Sequence, residues 1–143
     1  LRSVSAPLDV DAVLADLKDK DLSLPVPDNT KIGHIHLYVK NLEESFRFYQ
    51  KLGLSAFNFL PEYQFGDLGA GGAFQHRIAM NCWHGINKPL APDKNAGLTY
   101  YHIIFSSEEK LREALNGLNS YEETQDGFWT KDPTGIELLL SSD

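Results

Sequence analysis

The sequence predicts an α+β domain built from two strand–helix–strands units, preceded by a short helix and a linker. Three observations lead there. A histidine-bearing β-like segment runs directly into an amphipathic helix twice, at "IGHIHLYVKNLEESFRFYQKLGL" and at "LTYYHIIFSSEEKLREALNGL". Each helix is followed by short alternating segments separated by turn residues. The first 31 residues have neither pattern and carry Pro25 and Pro27 just before the repeats begin.

Within residues 1–31, Val10, Val13, Leu14 and Leu17 recur at helical spacing behind Asp9, a good cap. The proline-containing "LSLPVPDNT" then breaks regular structure. This segment reads as an interdomain bridge or as an arm packed on its own domain. With the chain opening on Leu1, it also reads as part of a longer polypeptide that has a further N-terminal domain.

From Ile32 the first unit opens on a strand in which His34, His36 and Tyr38 share one face. Asn41 caps the helix that follows, with Glu44 three positions on, and Leu42, Phe46, Tyr49 and Leu52 fall on one side before Gly53. "SAFNFLPEY" reads as a strand, "GDLGAGGA" as a glycine-rich hairpin turn, and "FQHRIAMNCW" as a strand entering the loop "HGINKPLAPDKNAG". The glycine-rich stretch lacks the Lys-Ser/Thr of a phosphate loop and joins no strand to a helix. The second unit repeats the order: the strand "LTYYHIIF", a helix capped by Ser106 with Glu109, then "SYEETQ", "GFWTK" and "IELLL" with "DG" and "DPTG" turns. The units span about 32–84 and 98–141. Neither covers both faces of its own sheet, so the two are expected to pack together.

Composition narrows the function. The 143 residues suffice for one cored domain, and 13 Lys+Arg against 20 Asp+Glu give a net charge of -7. That excludes the basic footprint of nucleic-acid binding. A single cysteine, Cys82, permits no internal disulfide and fits a reducing compartment, so a cytoplasmic location is expected. Cys82 has no paired base nearby and reads as a buried thiol. No apolar run approaches ~18 residues, so no membrane partner is expected.

The chemistry resides in the histidines and one carboxylate. Glu137 stands in the aliphatic "GIELLL", where a charge must be paired or metal-bound. His102 has an equally apolar setting, and His34 opens the matching strand of the first unit. One imidazole from each unit plus one carboxylate leaves open coordination positions. Such a set suits non-haem Fe(II), while Zn, Mn, Ni and Co use similar ligands. His36 shares the face of His34 and is an alternative ligand or a supporting partner. His84 begins a loop and is expected to be solvated. Satisfied core histidines are the alternative for all of them.

At "GHIHLYVKNLEESFRFYQKLGL", "YYHIIF" with its helix, and "DPTGIEL" the sequence resembles the vicinal oxygen chelate superfamily: glyoxalase I, fosfomycin-resistance and bleomycin-binding proteins, and extradiol dioxygenases. The resemblance covers 32–141 and implies paired βαβββ modules forming a cup-shaped mixed sheet over one metal. His34, His102 and Glu137 stand at the ligand positions. A narrower resemblance, at "PLDVDAVLADL", the linker, "IGHIHLYV" and "MNCWHG", is to the second half of bacterial catechol-2,3-dioxygenase-like proteins, which carry two such domains in tandem. It implies Fe(II), an aromatic diol as substrate, a homo-oligomer, and His76 of "FQHRIAM" as the acid–base residue. Trp129, His36 and Tyr100 are the expected substrate contacts.

The chain departs from the extradiol pattern in three places. Trp129 stands where a tyrosine is usual before "DP", "YEETQDG" lacks the Gly-x-His of the signature, and Glu137 follows the turn glycine by two residues rather than about four. Two other readings therefore stand beside ring cleavage. One is a glyoxalase-like lyase or isomerase using Zn or Ni. The other is a non-enzymatic small-molecule-binding module.

Overall fold

A computed structural model describes residues 7–18, 21, 23–89, 91–92 and 94–143. The chain divides into two compact units, 1–31 and 32–143. In the first, helix α1 (Val10–Ala15) begins at Asp9, whose carboxylate accepts the Ala12 N–H at 3.0 Å. Its Val10, Val13 and Leu14 are exposed. The end of the expected helix, at 19 and 20, lies outside the described residues, as do 90 and 93 of the expected loop.

The second unit contains the repeat. β1 (Ile35–Tyr38), α2 (Leu42–Lys51), β2 (Ser55–Leu60), β3 (Phe65–Gly69) and β4 (Ile78–Asn81) form the first module. β5 (Tyr100–Phe105), α3 (Glu108–Asn116), β6 (Glu122–Thr124), β7 (Gly127–Lys131) and β8 (Glu137–Ser142) form the second. Each has one four-stranded mixed sheet, ordered β1-β4-β3-β2 and β5-β8-β7-β6. In both, the opening strand pairs in parallel with the closing one and the other ladders are antiparallel. This is the expected α+β pair of βαβββ modules, with the sheets left as two separate ladders among the described residues. No helix among those residues is long and apolar enough to cross a membrane.

Strand parity decides which side chains enter the core. Leu37 and Val39 point inward with Tyr101 and Phe105, against Leu42, Phe46, Tyr49 and Leu52 of α2 and Leu111, Ala114 and Leu115 of α3. One apolar cluster spans both modules. Burying each large apolar side chain stabilises the fold by about 1.5–3 kcal/mol. A polar chain crosses the same junction: Tyr101 donates its hydroxyl to Tyr49 (2.7 Å), and Tyr49 donates to buried Asp132 (3.0 Å).

Two local expectations are corrected. Phe65–Gly69 is strand, so the glycine-rich turn begins only at Ala70. Gly66 belongs in that strand because a Cβ there would sit 2.9 Å from the Phe46 ring. The cap of α3 is Ser107, which accepts the Lys110 N–H at 3.3 Å; Ser106 instead accepts from the Lys110 ammonium at 3.2 Å.

Candidate active site

The helix-free face of each sheet carries the histidines. On the first, His34 precedes β1, while His36 and Tyr38 alternate with buried Leu37. The register puts Ala79 beside His36 and Asn81 beside Tyr38, and then Asp67 and Phe65 of β3 opposite these. On the second, Tyr100 aligns with Glu137 and His102 with Leu139, while Trp129 and Lys131 of β7 face Leu139 and Glu137. The period of two, read from the sequence, places His36, Tyr100, His102, Trp129 and Glu137 on exposed or half-exposed strand positions. His34 lies just before β1, and His76, expected within a strand, lies in the connection ahead of β4; both are also exposed or half-exposed.

On the first face His34 and His76 meet, ring centroids 4.5 Å apart. His76 Nδ1 lies 2.5 Å from Oδ2 of Asp67, a carboxylate that is 3% exposed. Oδ1 of Asp67 accepts both the backbone N–H and the side-chain amide of Asn58, at 2.8 and 2.9 Å. Beside them the Trp83 N–H donates to Asn81 Oδ1 at 3.1 Å, which turns the Asn81 amide N–H toward His36 Nε2 at 2.7 Å. His36 is therefore an acceptor at Nε2. Partial burial, followed by the neighbouring His76 and His34, lowers its pKa and favours the neutral ring. Trp83 stacks on Phe65 and lies 5.9 Å from His36.

On the second face Tyr100 and Trp129 make an edge-to-face pair at 4.8 Å. Glu137 and Trp129 line a cavity of about 340 Å³ together with Glu122, Thr130 and Lys131. The expectation that His102 and Glu137 sit in an apolar interior is corrected. His102 is exposed and lies 2.8 Å from the Ser141 hydroxyl. Glu137, at the first position of β8, is half-exposed and ion-paired to Lys131 at 2.9 Å. A four-residue "DPTG" turn reverses β7 into β8 and so sets these two residues opposite each other. Burial alone therefore requires no metal at Glu137. His84 is exposed against Tyr38, and Cys82 is a buried free thiol whose pKa burial raises.

The turn that presents Glu137 is built on Asp132. Its Oδ1 accepts the N–H groups of Thr134, Gly135 and Ile136 at 2.8, 2.9 and 2.9 Å. Desolvation still outweighs these bonds and raises its pKa. Burial also pushes the Tyr49 and Tyr101 hydroxyls well up.

The structure brings His34 to His76, Tyr100 to Trp129 and Glu137 to Lys131. Among the described residues no three His, Cys, Asp or Glu side chains are gathered as a metal-binding group. His34 stands at the first sheet and His102 and Glu137 on the second, so among the described residues the expected ligand set is not brought together; only in kind, as two imidazoles and one carboxylate, does it match what a divalent cation takes. Asp67, Asn58 and Asn81 were not anticipated from the sequence. The available signal was the alternation Phe65–Asp67–Gly69, which puts a carboxylate on the histidine face of a strand.

No family model matches the chain. A catechol-2,3-dioxygenase of Bacillus subtilis (strain 168) is 34% identical over 131 residues, 88% of this chain and 45% of that protein. Among solved structures, a glyoxalase/dioxygenase from Nostoc punctiforme aligns with a TM-score of 0.58 at 18% identity, over 85% of this chain and 97% of its own. A possible glyoxalase from Bacillus cereus gives 0.56 at 16% identity, over 78% and 97%. These likenesses are consistent with the resemblance to the vicinal oxygen chelate superfamily that the sequence carries. A lactoylglutathione lyase from Agrobacterium tumefaciens shares the fold as well, with a TM-score of 0.53 at 15% identity over 81% of this chain and 96% of that one. Vicinal oxygen chelate domains thus host different chemistries on one scaffold, so activity has to be argued from the site. The chain spans about half the length of the curated relative that it matches.

Proposed function

We propose that this vicinal oxygen chelate domain is the active half of an extradiol-type dioxygenase that cleaves the ring of an aromatic diol in the cytoplasm. His34, His102 and Glu137 would hold the metal, Fe(II), and His76 would be the acid–base residue. The observation that carries the reading is the contact of the His76 ring with His34, together with the Asp67 carboxylate at its Nδ1. The identity with a catechol-2,3-dioxygenase supports it.

When bound, Fe(II) supplies Lewis acidity toward the diol oxygens and open positions for the two substrates. The protein's own residues supply the rest. His76 takes a proton from a diol hydroxyl and returns it later, a role suited to an imidazole within reach of the reacting oxygens. The paired rings of Tyr100 and Trp129 flank the aromatic ring of the diol. The Trp129 indole can only donate a hydrogen bond, so the proton traffic falls to His76. His36, held neutral and bonded to Asn81, keeps positive charge off the metal side of the face. A tandem N-terminal domain and a homo-oligomer belong to the same proposal.

The test is anaerobic loading of Fe(II), addition of a catechol, then air. A yellow ring-fission product is expected, and no colour from any catechol with iron demonstrably bound rejects the reading. Metal analysis of the freshly purified protein separates it from a glyoxalase-like enzyme, which would hold Zn or Ni.

A further inference from the structure

We propose that Asp67 is a positioning residue that fixes His76 in the Nδ1–H tautomer and leaves Nε2 free on the site face. This rests on the reading of His76 as the acid–base group. The argument starts from the acceptor inventory. A carboxylate has only acceptors, and Oδ1 of Asp67 is already occupied by two N–H groups of Asn58. Oδ2 is the atom that meets His76 Nδ1, so the proton of that bond sits on the imidazole.

The backbone is built to hold this arrangement. Ala56 pairs with Leu68 and Asn58 with Asp67, so β2 carries one extra residue, Phe57, in a β-bulge. The bulge gives the Asn58 N–H to the Asp67 side chain, the kind of local re-aiming for which bulges recur beside functional sites. The segment bearing His76 is pressed onto β3: a Cβ on Gly69 would lie 2.5 Å from the Gln75 side chain and 2.8 Å from its carbonyl oxygen. Ring plane, tautomer and approach are therefore all set from β3. Carboxylate partners of this kind orient imidazoles and determine which nitrogen faces the chemistry.

A contact that only stapled the β3–β4 connection would leave the tautomer unset, and a tautomer measurement distinguishes the two roles. Long-range 1H–15N spectra of the whole metal-free chain, taken at alkaline pH where imidazoles are neutral, report the protonated nitrogen. Wild type should show His76 as a single tautomer protonated at Nδ1, and Asp67→Asn should mix or invert it. In ring cleavage, D67N should lower kcat about 10- to 100-fold with KM little changed. An Nε2–H tautomer in wild type, or an unchanged one in D67N, overturns the proposal. If D67N does not fold, the wild-type spectrum decides alone. If no catechol is cleaved yet the tautomer follows Asp67, the dioxygenase reading falls and the positioning role stands.

Discussion

Replacing Asp132 by alanine removes the acceptor on which the turn before β8 is built. Gly135 keeps a bond to the Asp132 carbonyl at 2.9 Å, but the Thr134 and Ile136 amides lose their side-chain acceptor, and so does the Tyr49 hydroxyl. Thr134 is 3% exposed, so water does not easily replace the lost partner. A buried polar group left unsatisfied costs about 1–3 kcal/mol; because Ile136 is only half-buried and the desolvation of the Asp132 carboxylate is relieved at the same time, two amides and a hydroxyl sum to roughly 3–5 kcal/mol, the low end of that range. For a domain of this size that lowers Tm by roughly 10–20 °C. Asp132→Asn should cost much less, because its carbonyl oxygen can serve the same amides while its NH2 meets the Tyr49 oxygen.

The two variants also differ in how they respond to pH. Burial raises the Asp132 pKa above 3.8, so the folded state binds its proton more readily than the unfolded chain does. Its contribution is then fully present below pH 3.8 and is lost as pH rises through the raised folded value. Wild type should therefore lose ground to D132N between acid and neutral pH, since Asn does not titrate. Urea unfolding followed by circular dichroism at several pH values measures both effects. A loss below ~1 kcal/mol in D132A, or a wild-type advantage over D132N that grows with pH, refutes the reasoning.

Single substitutions His34→Ala, His102→Ala and Glu137→Gln should each reduce bound metal after dialysis, read by elemental analysis, whereas His84→Ala should not; equal retention in all four argues against the ligand set. Lys131→Met removes the ammonium 2.9 Å from Glu137. It should tighten metal binding by up to about five-fold in calorimetry, given the modest strength of half-exposed ion pairs, and weaker binding would show that Lys131 helps rather than competes. Gly127→Ala should destabilise by at least about 1–3 kcal/mol, because φ is +131° there and the new Cβ would lie 2.4 Å from the Leu140 carbonyl oxygen. An unchanged denaturation midpoint would contradict that local geometry.

What the sequence made legible follows from periodicity. Two-residue alternation in "IGHIHLYV" and "YYHIIF" separates core side chains from histidines without any tertiary information, and Asn41 announces α2 by capping chemistry alone. The Asp67–His76 pair was not legible because it depends on close approach. Gly66 and Gly69 look like turn residues, yet they are strand residues whose missing side chains admit Phe46 and Gln75. Reading them as a turn hid the strand that carries Asp67. The Lys131–Glu137 pair was missed for a different reason. It follows from the antiparallel register across "DPTG", so its signal was present, but the carboxylate was judged by its aliphatic neighbours in sequence rather than by the residue opposite it.

The same parity divides the labour between the two sides of each sheet. Tyr101, one residue from His102, turns inward to Tyr49, and Tyr49 reaches Asp132, whose turn delivers Glu137 to the outer side. The junction between modules is thus connected, through one buried carboxylate, to the start of the strand bearing a candidate ligand. A shift of one residue in β5 or β8 would exchange core and site residues wholesale, which the packing of Tyr101, Phe105, Leu138 and Leu140 forbids. The core therefore does more than stabilise the domain. By fixing register it determines that His102, Glu137 and Trp129 share a face, and any chemistry of this chain has to be performed by residues of that parity.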